Sequence, residues 1–109
     1  MPRESLGEFE QQVLLAILQL GGSGYSAPIV LEMEKRSSKR VAAAAVYIAL
    51  RRLEQRELVR SLKEEPGPHE GGRGKRIFKV TDAAVEKLRD SRRTLENFWD
   101  GLDPLFHKP

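Results

Sequence analysis

The hydrophobic period of this chain switches from helical spacing to strand-like alternation after Glu57, and returns to helical spacing at Thr81. Before the switch, Phe9, Val13, Leu14, Ile17 and Leu18 form one stripe between Leu6 and Leu20, and Gly21-Gly22 supplies a stop. A second helix follows, with Ser26 as its expected N-cap, Pro28 in the first turn, and Ile29, Val30 and Met33 as its buried stripe to about Ser37. Lys35 and Arg36 in its last turn suit the negative end of the helix dipole. After a short turn at Ser38-Lys39-Arg40, the run Ala42 to Ala45 opens a third helix of high propensity. Val46, Leu50, Leu53 and Leu58 continue it, with Arg51, Arg52, Gln55 and Arg56 opposite.

Between the two switches, Leu58–Leu62 and Arg76–Val80 are rich in β-branched or aromatic residues, and the intervening Lys63 to Lys75 is rich in Gly and Pro. The expectation is a β-hairpin with a long tip. Thr81 then caps a last helix with Asp82 in its first turn, running through Val85, Leu88, Leu95, Trp99 and Leu102 to an end near Gly101 and Pro104. The fold expected is mostly α with a small β-hairpin: a winged helix-turn-helix of three helices and a two-stranded wing, plus a C-terminal dimerisation helix. Residues 1–81 form the expected DNA-binding domain and residues 82–109 the dimerisation helix and tail, within one structural unit.

The charge distribution fits that reading better than its total does. The 109 residues carry a formal net charge of only +3. Divided along the chain, residues 1–34 carry −4, 35–60 carry +6, 61–72 carry −2, 73–79 carry +4 and 80–109 carry −1. Two basic blocks therefore sit among acidic flanks, the footprint of a polyanionic partner, with nucleic acid ahead of an anionic membrane. A solvated charged face is the plainer alternative. The absence of cysteine removes disulfides and thiolate metal sites. The apolar run Val13 to Leu20 is too short to span a membrane, and no apolar leader follows Met1, so the cytoplasm is the expected location.

Within the first basic block, Ala43, Ala44 and Tyr47 are expected to face a DNA groove or its rim. Alanine side chains allow close approach, and their methyl groups can meet thymine methyls. Lys39, Arg40 and Arg51 are the expected phosphate contacts. The alternative is a helix of alanines chosen for packing, with Tyr47 in the core. In the wing, Arg73, Lys75 and Arg76 surround Gly72 and Gly74 and suit a minor groove, although Glu64, Glu65 and Glu70 oppose phosphate in the same loop. Along the last helix Val85, Arg92 and Trp99 recur every seven residues, as do Leu88, Leu95 and Leu102. This seam suits pairing with a second copy; folding back onto the first helix is the alternative. Catalysis finds no constellation: His69 and His107 are the only histidines, and Gly71-Gly72-Arg73-Gly74-Lys75 lacks phosphate-loop spacing. No cofactor is expected.

The stretch Phe9 to Leu20 with Gly24-Tyr25, then Val46-Tyr47, Leu50-Arg51-Arg52-Leu53-Glu54 and Leu58-Val59, then Gly72-Arg73-Gly74-Lys75-Arg76 with Phe78, Val80-Thr81 and Leu88, resembles the PadR family of bacterial transcriptional regulators. The resemblance covers roughly residues 6 to 100. It implies a dimeric repressor with the third helix in the major groove and the last helix at the dimer interface; for such a dimer, half-sites about one helical turn apart on a pseudo-palindromic operator are expected. A protein-docking winged helix, or a sensor binding a small hydrophobic effector near Trp99, are the competing expectations. The sequence departs from the family pattern where Ala42 replaces a capping Ser, Ala44 and Ala45 replace a Gly-Thr or Gly-Ala pair, and Glu57 and Ala84 replace glycines.

Overall fold

The computed structural model describes residues 5–65 and 75–106. Helix α1 spans Glu8–Gln19, strand β1 Ser23–Tyr25, helix α2 Ser26–Ser37 and helix α3 Ala43–Gln55. Strands β2 (Val59–Lys63) and β3 (Arg76–Val80) follow, then α4 (Asp82–Trp99) and a short α5 (Asp103–Phe106).

Each helix end has a local cause. At the start of α1, Glu10 Oε1 accepts the Gly7 N–H at 3.1 Å. At its end Gly21 and Gly22 adopt φ of 102° and 103°, which favour glycine, and the Gly22 N–H returns to the Ile17 carbonyl at 3.0 Å. Helix α2 begins one residue earlier than expected. Tyr25, not Ser26, occupies the N-cap position, because strand pairing holds the backbone extended through Tyr25. Thr81 caps α4 as expected, its Oγ1 accepting the Ala84 N–H at 3.2 Å while its hydroxyl donates to the Glu57 carbonyl at 2.9 Å. One group thus starts α4 and ties it to the end of α3.

The wing contains a third strand that periodicity could not reveal. All three strands are antiparallel in the order β1-β3-β2, with Gly24 opposite Phe78 and Ser61 opposite Phe78 on the other side. Three residues of β1 bond the hairpin back to the α1–α2 connection, so the wing is anchored at its base. Gly24 is tight against α1 there, since a Cβ would lie 3.1 Å from Leu20 Cδ1.

Val13, Leu14, Ala16 and Ile17 of α1, Ile29 and Met33 of α2, Val46, Ala49, Leu50 and Leu53 of α3, and Phe78 of β3 are buried in one apolar cluster. Among the described residues no polar or charged side chain is buried with them. Helix α4 buries Ala84 and Leu88 in the core with Val85 half-buried against it, and every residue from Arg92 to Phe106 is exposed. The second half of α4 is an arm, consistent with the elongated dimensions of 58 × 39 × 22 Å. It stops at Trp99, so Leu102, expected on the helix, lies in the turn after it, where Gly101 takes φ 78°. No described helix is long and apolar enough to cross a membrane.

Candidate nucleic-acid interface

The α2–α3 connection is short and held by its own residues. Ser38 ends α2 in the left-handed region at φ 58°, Ser37 Oγ accepts the Lys39 N–H at 3.2 Å, and Glu34 Oε2 accepts the Val41 N–H at 2.9 Å. With its backbone pinned, the turn projects Lys39 and Arg40 outward, exposed and with no ion-pair partner among the described residues. Those two cations stand directly before α3. Its N-cap, Ala42, makes no side-chain cap bond, leaving amides at that end for an outside acceptor.

Helix α3 divides cleanly into two faces. Val46, Ala49, Leu50 and Leu53 enter the core, whereas Ala43, Ala44, Tyr47, Ile48, Arg51 and Arg52 face outward. Tyr47 is 48% exposed, which places its ring outside the core. Ile48, 52% exposed, was not singled out from the sequence, because an isoleucine amid apolar neighbours reads as core. Its position one turn after Ala44 was the available signal. Ala44, Tyr47, Ile48 and Arg51 therefore form one continuous outward stripe, small and apolar at its start and cationic at its end.

Several of the expected cations are already engaged. Arg51 Nη1 lies 3.0 Å from Glu54 Oε1, one turn along the same helix. Arg76 Nη1 donates to Ser61 Oγ at 2.9 Å, and the Ser61 hydroxyl donates to the other Glu54 oxygen. Lys75 sits at the open end of the wing with its Nζ 5.6 Å from the centre of the Tyr25 ring. The Tyr25 hydroxyl in turn donates to Glu64 Oε1 at 2.6 Å. One of the wing carboxylates expected to oppose phosphate is thus held against β1. Arg73 and the glycine-rich wing tip, like His69 and His107, lie outside the described residues. Among the described residues there is no His, Cys, Asp and Glu cluster that could hold a metal.

The expected pairing seam is brought together in part. Val85 and Leu88 pack toward the core, while Leu95 (53% exposed) and Trp99 (48%) project from the arm, and Arg92 reaches toward Glu96 at 3.7 Å. Between α1 and α4 runs an open apolar groove lined by Leu15, Leu18, Val85, Leu88, Leu95 and Trp99. Phe98, Leu105 and Phe106 lie outside the expected seam and widen the apolar surface, and the Trp99 and Phe106 ring centres lie 4.7 Å apart at 56°. Phe98 falls outside a strict seven-residue repeat, and the return of α5 onto Trp99 is a tertiary contact without a local signature.

No family model matches the sequence, and no curated protein matches it. Solved structures do match. A PadR family transcriptional regulator from Eggerthella lenta superposes with a TM-score of 0.67 at 22% identity, over 94% of this chain and 88% of that one. F93 from STIV, a winged-helix DNA-binding protein, gives 0.67 at 11% identity over 90% of this chain and 98% of its own. BpsR of Bordetella bronchiseptica, whose DNA binding is regulated by 6-hydroxynicotinic acid, gives 0.64 at 18% identity over 96% and 74%. The structural neighbours of this chain are PadR-family regulators and winged-helix DNA-binding proteins, and its own fold is a winged helix-turn-helix with a three-stranded sheet and a C-terminal helical arm.

Proposed function

We propose that the chain is a sequence-specific DNA-binding transcriptional regulator that acts as a homodimeric repressor on a pseudo-palindromic operator. The observation that carries this reading is the junction of the α2–α3 turn with the outward face of α3. Lys39 and Arg40, with no ion-pair partner among the described residues, stand at the bonded entrance to a helix whose exposed stripe is Ala44, Tyr47, Ile48 and Arg51. In this reading α3 enters the major groove, the methyl groups of Ala43, Ala44 and Ile48 read thymine, and Lys39 and Arg40 contact phosphates. Lys75 and Arg76, with Arg73, carry the wing to the flanking backbone.

The dimer is supported by the arm. Leu95, Phe98, Trp99, Leu105 and Phe106 are all large apolar side chains left exposed at one end of the chain, the kind of surface that marks an interaction site. A second copy laying its own arm along the α1–α4 groove buries both stripes at once, as a two-fold interface requires. Two such protomers present two α3 helices to half-sites about one helical turn apart. Residues 1–81 then serve as the DNA-binding part and 82–109 as the pairing part. The same groove beside Trp99 is where a small hydrophobic effector would act, a reading favoured by the regulation of BpsR by 6-hydroxynicotinic acid.

Selection of duplexes from a random pool, followed by footprinting of the enriched sequence, tests the proposal. Recovery of an inverted repeat, bound by a species sedimenting as a dimer, is the expected result. Enrichment of no sequence, or binding by a monomer, defeats it.

A further inference from the structure

We infer that Glu54 and Ser61 form a restraint that holds Arg51 of α3 and Arg76 of the wing back from non-cognate duplex DNA, and so sets the ratio of specific to non-specific binding. The inference rests on the DNA-binding reading above and names two positioning residues within it.

The restraint is a continuous chain of bonds across three elements. Arg51 Nη1 is 3.0 Å from one Glu54 oxygen, the Ser61 hydroxyl on β2 donates to the other, and Ser61 Oγ accepts from Arg76 Nη1 on β3 at 2.9 Å. The carboxylate accepts at both of its oxygens, and the hydroxyl both donates and accepts, so each link of the chain runs into the next. Glu54 keeps only 29% of its side-chain surface exposed, so solvent screens it less than the arm pairs Arg92–Glu96 and Arg93–Asp90, where exposures run from 64% to 81%. Linked hydrogen bonds polarise one another, which favours the chain as a unit.

What distinguishes this network is where its ends lie. Arg51 closes the outward stripe of α3, and Arg76 begins β3 at the root of the wing. A single carboxylate therefore neutralises one of two cations at the corner where helix and wing would straddle a phosphate strand. A phosphate that recruits Arg51 must first displace Glu54, exchanging one anion for another with little net gain. On a random duplex, charge supplies essentially all of the affinity, so the exchange suppresses binding there. On a cognate duplex, base-edge contacts along Ala44, Tyr47 and Ile48 supply a driving force that does not pass through Glu54.

The test uses the full chain and its Glu54→Gln, Ser61→Ala and Ser61→Thr variants, with fluorescence anisotropy against a random-sequence duplex and against the duplex selected by the wild type, across a salt series. Glu54→Gln is expected to bind the random duplex about five- to tenfold tighter near 0.1 M salt, with the slope of log affinity against log salt steeper by about one. The selected duplex gains less, so the specificity ratio falls. Ser61→Ala lowers the ratio in the same direction, and Ser61→Thr, which keeps the hydroxyl, restores it. A folded Glu54→Gln protein with wild-type affinity and slope on random DNA overturns the inference while leaving DNA binding intact. Should Glu54→Gln fail to fold, identical ratios for Ser61→Ala and the wild type overturn it instead. A wild type that binds no duplex at all removes the DNA-binding reading and this inference together.

Discussion

The Glu34 carboxylate accepts the backbone N–H of Val41 at 2.9 Å, tying the last turn of α2 to the residue that precedes the α3 N-cap. An interhelical turn that would otherwise rely on the Ser37 hydroxyl is thereby fixed by a charged acceptor from the helix before it. Glu34→Ala removes that acceptor and leaves the Val41 amide half-buried. A loss of about 1.5 kcal/mol in urea unfolding is expected, with Glu34→Gln losing less because its carbonyl oxygen still accepts. Weaker DNA binding should accompany the Ala variant even at temperatures where it is fully folded, since Lys39 and Arg40 lose their fixed platform.

Glu57 sits at φ 61°, in the left-handed region, immediately after α3. That conformation costs a side-chain-bearing residue about 1–2 kcal/mol, against roughly 0.4–1 kcal/mol of extra unfolded-state entropy when glycine replaces it. Glu57→Gly should therefore raise stability by about 0.5–1 kcal/mol, read as a higher urea midpoint at unchanged slope. The Thr81 hydroxyl bonds the main-chain carbonyl of residue 57, so the substitution leaves that tie in place. A lower midpoint would show that the Glu57 side chain does more than occupy a strained position.

Lys39 and Arg40 carry the clearest electrostatic expectation. Changing both to Ala should flatten the salt dependence of DNA binding by about two in logarithmic slope, close to one per phosphate contact. Because both residues are exposed and neither is ion-paired among the described residues, urea stability should move by less than about 0.5 kcal/mol. An unchanged slope would remove these residues from the interface.

Leu88 and Leu95 lie two helical turns apart on α4 but in different environments, with Leu88 at 9% exposure and Leu95 at 53%. Leu88→Ala should cost about 2–4 kcal/mol of folding stability. Leu95→Asp should leave the protomer folded and weaken self-association by about a hundredfold or more, measured by sedimentation. Equal sedimentation of Leu95→Asp and wild type would rule out the arm as the pairing surface.

Signals written locally were readable from the residues alone. Thr81 announces its helix because a hydroxyl at that position bonds the amide three residues on, and Gly21-Gly22 announces a stop because few other residues adopt its backbone angles. Strand β1 was not readable. Ser23-Gly24-Tyr25 has no alternating pattern of its own, and becomes a strand only because β3 arrives beside it. The outward face of α3 and the turn before it were partly visible for the same reason: Ala43, Ala44, Tyr47 and Lys39-Arg40 stand out by type and position, and all are exposed. Ile48 was concealed by resembling the core, and the bond from Arg76 through Ser61 to Glu54 joins residues whose meeting depends on hairpin register. Leu102 was misplaced because a seven-residue repeat continues arithmetically past a point where Gly101 ends the helix.

The chain has one tryptophan, and it lies outside the hydrophobic core, on the arm and against Phe106. Its emission therefore reports on the arm and its neighbours, while far-ultraviolet circular dichroism reports on the helices of the body. For the dimer proposed above, dilution should shift the first signal at protein concentrations that leave the second unchanged. A single natural fluorophore thus makes assembly and folding separately observable in one unlabelled sample.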